Sequence, residues 1–471
     1  MIASVRHSAG GRHAWFAAIT GKTLHDSAYR RLAFLGVLLL ALTLGALALH
    51  IPGAITVGSP TRKSLFVALL GVAALVQFGA VSIVLRGVPR GAVWLVIAVG
   101  LAARIGPLIA PPFLSTDLYR YVWDGRVQAA GINPYRFVPA DPALTALRDT
   151  DIFPHIARAE WAPTIYPPAA QLVFAAIGVT VPGLMAVKAT MVAFEALAMA
   201  AAAIVLSRAS LPPSRIIVWA WNPLAIWAFS GNGHIDAVAA GLLSVALMLI
   251  GMPGAARIRN VVFAGIAFGA AVLAKFLPLA AAPAFWPRGR WPVAISTALT
   301  IVVLYACYAG VGWRVFGFMP GYSAEEGLSD GSGFWLLAGL SNLVSLPATA
   351  APIYVALAAA LLGALGFWIA FVSRPITDRD IWRAAGILMA GATVAISPHY
   401  PWYFAWLALP AIVAPSRTLI WLATAPVLLY ADTFGDRFVW PCIVYLPALG
   451  LALADYRHPL DVSLPAHGEA A

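Results

Sequence analysis

Ser64 to Ala110 reads SLFVALLGVAALVQFGAVSIVLRGVPRGAVWLVIAVGLAARIGPLIA, and this stretch decides the fold. Its two apolar runs, 64–85 and 91–111, each match the roughly 20 residues that a helix needs to cross the hydrocarbon of a bilayer. Between them stands a short connection carrying Arg86 and Arg90. Backbone groups inside a bilayer have no water to bond, so runs of this length are helical. Similar runs recur outward in both directions, from residue 32 to residue 455. Of the 471 residues 61% are hydrophobic and 10% charged, with mean hydropathy +0.85, against about 25% charged in an ordinary soluble domain. The candidate spans are 32–51, 64–85, 91–111, 184–207, 215–230, 235–252, 260–273, 275–287, 291–311, 352–372, 383–398, 401–415, 417–431 and 438–455. The expected fold is an all-α polytopic membrane protein, one bundle of about 12–14 helices over 32–455. A basic segment, 1–31, and a segment 456–471 are expected in the cytoplasm.

The net charge of +11 sits mostly in short connections, the pattern of membrane topology and not of a nucleic-acid-binding face. Two readings bring Arg86 and Arg90, Arg208 and Arg215, Arg257 and Arg259, Arg288 and Arg290, and Arg374, Arg379 and Arg383 to one side. Residues 166–182, opened by Pro167 and Pro168, lie at the interface without crossing, and 260–287 is a hairpin turning near Lys275. Excess Lys and Arg marks that side as cytoplasmic. Acidic residues gather on the other: Asp117, Asp124, Asp141, Asp149, Asp151 and Glu160 share the outer loop 112–165. Glu325 and Glu326, in the outer loop 312–335, read as a solvated face. Cys307 and Cys442 lie in apolar runs and give neither a disulfide framework nor a thiolate metal site. No phosphate-binding P-loop, GxGxxG, HExxH or CxxC pattern occurs, which removes ATP-driven, dinucleotide and zinc-protease chemistry. No cofactor and no metal are expected.

Four clusters carry possible chemistry, all at the outer ends of spans. In TDLYRYVWDGR, Thr116 to Arg126, the spacings of three, four and seven put Asp117, Arg120 and Asp124 on one helical face. A carboxylate beside a guanidinium suits proton removal from a hydroxyl while a phosphate is held; the competing reading is an interfacial lid in which Arg120 simply pairs with the two aspartates. Arg126 and the turn Gly131 to Tyr135 read as scaffold, with Tyr121 and Arg126 placed at the cavity. NGHID, Asn232 to Asp236, opens a span. One of His234 and Asp236 is expected to line a polar cavity while the other caps the helix. Lys275 is an ionisable group in an apolar stretch, which suggests an anionic ligand or a charge snorkelling to headgroups. In SPHYPWY, Ser397 to Tyr403, two prolines free backbone groups where a cavity can use them, and His399 and Tyr400 stand there. Lys188 and Glu195 are read as structural.

These clusters, with YPPAAQLVF (Tyr166 to Phe174), WNPLAIW from Trp219 and AKFLPL around Lys275, together resemble the GT-C superfamily of membrane glycosyltransferases. The resemblance is to bacterial polyprenol-phosphate-mannose-dependent mannosyltransferases and covers about residues 91–430. It implies juxtamembrane helices on the outer face, a polyprenyl-phosphate-sugar donor, and a lipid or glycan acceptor. Asp117 matches the family's catalytic base, with Asp124 the second candidate. Arg120, Lys275 and His399 are the expected donor-phosphate ligands, and Tyr121, Arg126, His234, Asp236 and Tyr400 the cavity lining. The implied reaction is inverting sugar transfer. A transporter or flippase of a lipid-linked saccharide is the alternative, and would want polar residues deep in several spans.

Overall fold

The structure is a computed structural model, and it describes residues 10–49, 60–254, 257–433 and 435–460. Part of the basic N-terminal segment, 1–9, and most of the C-terminal segment, 461–471, lie outside the described residues. Among those described there is no strand, and the chain is an all-α polytopic membrane protein. Seven helices are long and apolar enough to cross a membrane: Ser27–Ala48, Pro60–Arg86, Ala92–Ile109, Leu184–Arg208, Arg257–Ala274, Leu277–Ala306 and Ala350–Ser373. An eighth crossing exists if Pro223–Gly231 and Asp236–Ile250, bent by 117° at their junction, are counted as one. Pro168–Thr180, Pro401–Val413 and Arg417–Ala431 are apolar but shorter.

Fourteen runs exceed the long helices because several runs are short helices or parts of a broken or bent one. Helix Asp378–Ile396 begins with Asp378, Arg379, Asp380 and, one turn on, Arg383, charges that a bilayer centre does not accept cheaply. Leu277–Ala306 is broken at Arg290, where φ is 46° and ψ −139°. The chain reverses there. Arg257 donates to the carbonyl of Arg288, so the segment after Lys275 has returned to the end from which Arg257–Ala274 starts. Beyond the break, Gly265 faces Val293 and Ser296, and Gly269 faces Thr297 and Thr300. Numbers rise together on both strands of that contact, so 291–306 runs parallel to Arg257–Ala274. The expected turn near Lys275 is present, since the helix ends at Ala274.

Ionisable groups within the spans are paired or bonded internally. Arg104 meets Glu195 at 2.6 Å, Glu195 also accepts from Trp219 Nε1 at 3.0 Å, and Arg104 Nη1 donates to the carbonyl of Ala220 at 2.8 Å. Lys188 Nζ donates to the carbonyls of Pro107, Leu108 and Ala110. Those carbonyls belong to the end of Ala92–Ile109, where no further turn exists to accept from and where the helix dipole favours a cation. Lys188 and Glu195 thus hold neighbours and not each other.

One more contact positions the helix that carries Asp117. Asp117–Ala129 and Pro168–Thr180 pack so closely at Gly125 and Gly178 that a Cβ on either would run into the other's backbone. At 13 residues, Pro168–Thr180 is about 20 Å long, too short to span about 30 Å of hydrocarbon.

Candidate active site

The approach to Asp117 is built from three anchored pieces. Lys188 fixes the end of the preceding helix. Asn232, fully buried, accepts from the backbone N–H of Phe113 at 3.2 Å and of Leu114 at 2.9 Å, and donates to the carbonyl of Trp227 at 2.8 Å. Ser115 Oγ accepts from the N–H of Asp117 at 3.2 Å. Asp117 is therefore presented in the first turn of Asp117–Ala129, where the positive end of the helix dipole favours a carboxylate.

Facing it is the break between Pro223–Gly231 and Asp236–Ile250. Gly233, at φ 66°, makes the bend possible, and any side chain there would press on Leu118. Irregular backbone at membrane depth is tolerated where it lines a cavity, and this one delivers two polar side chains. His234 Nδ1 stands 3.6 Å from Asp117 Oδ2, beyond hydrogen-bond reach. Its ring is 0% exposed, stacked 3.9 Å from Trp402, and neither nitrogen has a hydrogen-bond partner among the described residues. Asp236 Oδ2 accepts from Lys275 Nζ at 3.3 Å, and Lys275 lies 4.1 Å from the centre of the Tyr403 ring. The expectation that one of His234 and Asp236 merely caps the helix is replaced: both reach into the cluster.

The far wall comes from the C-terminal half. Tyr400 packs against His399 at 4.0 Å and against Trp402 at 4.8 Å. His399 Nε2 is 3.3 Å from Glu326 Oε2, and Tyr403 shares a 2.8 Å hydroxyl contact with Tyr322. Tyr121 closes the floor, its ring stacked 4.6 Å from Phe174 and its hydroxyl accepting from the N–H of Ile235 at 3.5 Å.

Electrostatics separate the groups. Burial pushes the Asp117 carboxyl above its usual range, Lys275 pulls it back, Asp236 raises it and Arg158 lowers it. Since 33% of that side chain is still open, it can meet a ligand. Burial, helped by Arg437, pushes His399 down to about 3, so at neutral pH it carries no charge. What His399 offers a ligand is then a hydrogen bond from a neutral imidazole.

Arg120, Asp124 and Arg126 are drawn elsewhere. Asp124, 2% exposed, accepts from Arg120 Nε at 2.8 Å, Thr164 Oγ1 at 2.6 Å and Gln171 Nε2 at 2.8 Å. Arg120 Nη1 also donates to the carbonyl of Ala162 at 3.1 Å. A buried carboxylate with three donors has little access left for an acceptor, and a guanidinium so held is not free for a phosphate. Arg126 pairs with Asp149 at 2.6 Å. Although burial raises the Asp149 carboxyl, Arg126 and the N–H groups of Ile152 and Phe153 hold it at about 2. Sequence reading missed Arg158, which pairs with Glu325 at 2.7 Å, and the inward-facing Glu326. The acidic doublet looked like solvated surface, and nothing local distinguished its two members.

Beyond Lys275 an apolar groove of about 470 Å³ opens between Arg257–Ala274, Leu277–Ala306 and Ala350–Ser373. Leu279, four residues past Lys275, lines it together with Phe285, Trp286, Leu362 and Phe371. Among the described residues, no three His, Cys, Asp or Glu side chains converge as ligands of one metal would.

Residues 55–287 match the model of a family described as alpha-(1->6)-mannopyranosyltransferase, N-terminal domain, under the name MptA_B. The match contains Asp117, His234, Asp236 and Lys275 and ends before Glu326 and His399. No curated protein and no solved structure matches the chain.

Proposed function

We propose, from the match of residues 55–287 to the MptA_B model of alpha-(1->6)-mannopyranosyltransferases, that the chain moves mannose from a polyprenyl-phosphate donor to a glycan or lipid acceptor, with Asp117 as the base. The observation that carries the reading is the partly open Asp117 carboxylate within the electrostatic reach of Lys275, with Leu279, four residues past that lysine, lining an apolar groove. Such a donor is amphiphilic: its chain needs hydrocarbon and its phospho-sugar needs a polar recess at the membrane surface. Groove and cluster supply the two.

In the proposed step Asp117 takes the proton of the acceptor hydroxyl as that oxygen bonds to the anomeric carbon. The bond from that carbon to the phosphate oxygen breaks, and polyprenyl phosphate leaves with the electron pair. One displacement inverts the anomeric centre. Its raised pKa suits Asp117 to the task, because a base titrating nearer to working pH is a stronger acceptor while still being ionised. Lys275 stabilises the charge that grows on the leaving phosphate, and Asp236 orients Lys275. His234, desolvated and without a partner, offers a hydrogen bond to a sugar hydroxyl.

Transport of an intact lipid-linked sugar fits less well. The charges deep in the spans, Arg104, Glu195 and Lys188, are consumed in internal contacts and line no polar passage. We place the cluster on the outer face and the segments 1–31 and 456–471 in the cytoplasm on the bias of Lys and Arg, with 32–455 as one domain. Reporter fusions at Arg288 and Glu325 should then read inside and outside. Purified protein given labelled polyprenyl-phosphate mannose and membrane extract should yield labelled glycan; movement of the intact lipid without sugar transfer would overturn the reading.

A further inference from the structure

Arg120, Lys275 and Arg158, three of the cations expected or found near the candidate site, differ in what already holds them. Arg120 is buried between Asp124 and the carbonyl of Ala162. Lys275 is engaged by Asp236 and by the face of Tyr403. Arg158 is paired with one carboxylate, Glu325, and both side chains are about a third open, 35% and 31%. It comes from the first outer loop and Glu325 from the second.

Two features set Arg158 apart from an ordinary surface charge. Its backbone stands at φ 60°, a left-handed conformation uncommon for a residue with a side chain, and its carbonyl accepts from the N–H of Trp161 and of Ala162. A strained position held by its surroundings is a reasonable place to look for function. Its charge also acts on Asp117, Tyr400 and Glu326, so the guanidinium lies within electrostatic reach of the site.

The segment carrying Glu325 is fastened independently of this pair. The N–H of Phe318 donates to the carbonyl of Thr164 at 3.2 Å, Trp161 meets Phe318 edge to face at 5.0 Å, Tyr322 meets Tyr403, and Glu326 meets His399. Opening Arg158 from Glu325 therefore leaves the roof over the site attached.

We infer that Arg158 is a phosphate ligand held in reserve by Glu325, and that the phosphate of a lipid donor takes the carboxylate's place on the guanidinium. The inference rests on the lipid-phosphate donor proposed above. The exchange replaces one anion with another, so no bare guanidinium has to be desolvated. A partly exposed pair contributes little in water, whereas a phosphate can engage the planar fork of an arginine through two hydrogen bonds. Glu325 then acts as a competitor that keeps the cation occupied while the site is empty.

The test measures binding without turnover, using full-length protein in nanodiscs and polyprenyl phosphate as the probe. Arg158→Gln should weaken binding by roughly 10- to 100-fold, the loss of a charge-assisted contact. Arg158→Lys should fall between, keeping the charge without the fork. Glu325→Gln should tighten binding several-fold, since the competitor is gone. A merely structural pair would behave differently: both glutamine variants would weaken binding together, which would overturn the inference. Unchanged binding by Arg158→Gln, with the wild type binding normally, would overturn it alone. If the wild type binds no polyprenyl phosphate, the donor class proposed above fails as well.

Discussion

Asp117 and Asp124 lie seven residues apart on one helix, and the two ends of that helix do opposite things with a carboxylate. At its start, Asp117 pairs with no lysine or arginine among the described residues and keeps a third of its side chain open; His234, at 3.6 Å, is too far for a hydrogen bond. Two turns on, Asp124 is sealed and saturated by Arg120, Thr164 and Gln171. In the proposed reaction the same functional group is a reagent at one end, while at the other it is a fastener. What distinguishes them is the number of donors that surrounding loops bring, and burial in the fold follows from that number.

The largest expected effect follows directly. Asp117→Asn retains shape but accepts no proton, so transfer should fall by about 10²–10⁴-fold with folding unchanged; near-normal turnover would end the contrast. Asp124→Ala should instead act on stability. It strands Arg120 as a buried charge without its partner, a loss of about 3–5 kcal/mol, visible as a lowered unfolding midpoint in detergent. If it abolished transfer at full stability, Asp124 would be the base. Third in size, Lys275→Ala should raise donor KM by roughly 10-fold or more, the worth of one charge-assisted contact, and titrations of donor against rate would show it.

The smallest effect sharpens the electrostatics of the open end. A base works ionised, so the rate should drop as pH falls through the Asp117 pKa, and this acid limb should lie above the usual carboxylate range. Lys275 holds that pKa down and Asp236 holds it up. Replacing Lys275 with Met should therefore move the limb to higher pH, and Asp236→Asn to lower pH. Shifts in the same direction for both variants would detach the limb from Asp117.

Much of this was legible in the sequence. Apolar runs and arginine placement gave the membrane class and the reversal near Lys275, and the spacing of the clusters gave Asp117, His234, Asp236, Lys275 and Tyr400, which the fold brings to one end of the bundle. Helical spacing put Arg120 and Asp124 on the face of Asp117, but it could not tell that Ala162, Thr164 and Gln171 would fold back onto that face and claim them. The partnership of Arg158 with Glu325 spans 167 positions, beyond the reach of any local pattern. The runs outnumber the long helices because hydropathy measures composition and not length or continuity: 401–415 and 417–431 fold as short helices, and 215–230 and 235–252 contain the two arms of one bend at Gly233.

Lys188 also dictates when the site can exist during synthesis. The carbonyls it holds are about 80 positions earlier in the chain, and Asn232, which secures Phe113 and Leu114, comes more than 100 positions after them. A nascent chain that has released Asp117 from the ribosome therefore still lacks both fixtures of its approach. Chains arrested shortly before residue 188 should leave the 112–165 segment open to protease, and chains arrested well past residue 232 should shield it, so that the reacting carboxylate is among the last parts of the N-terminal half to be set in place.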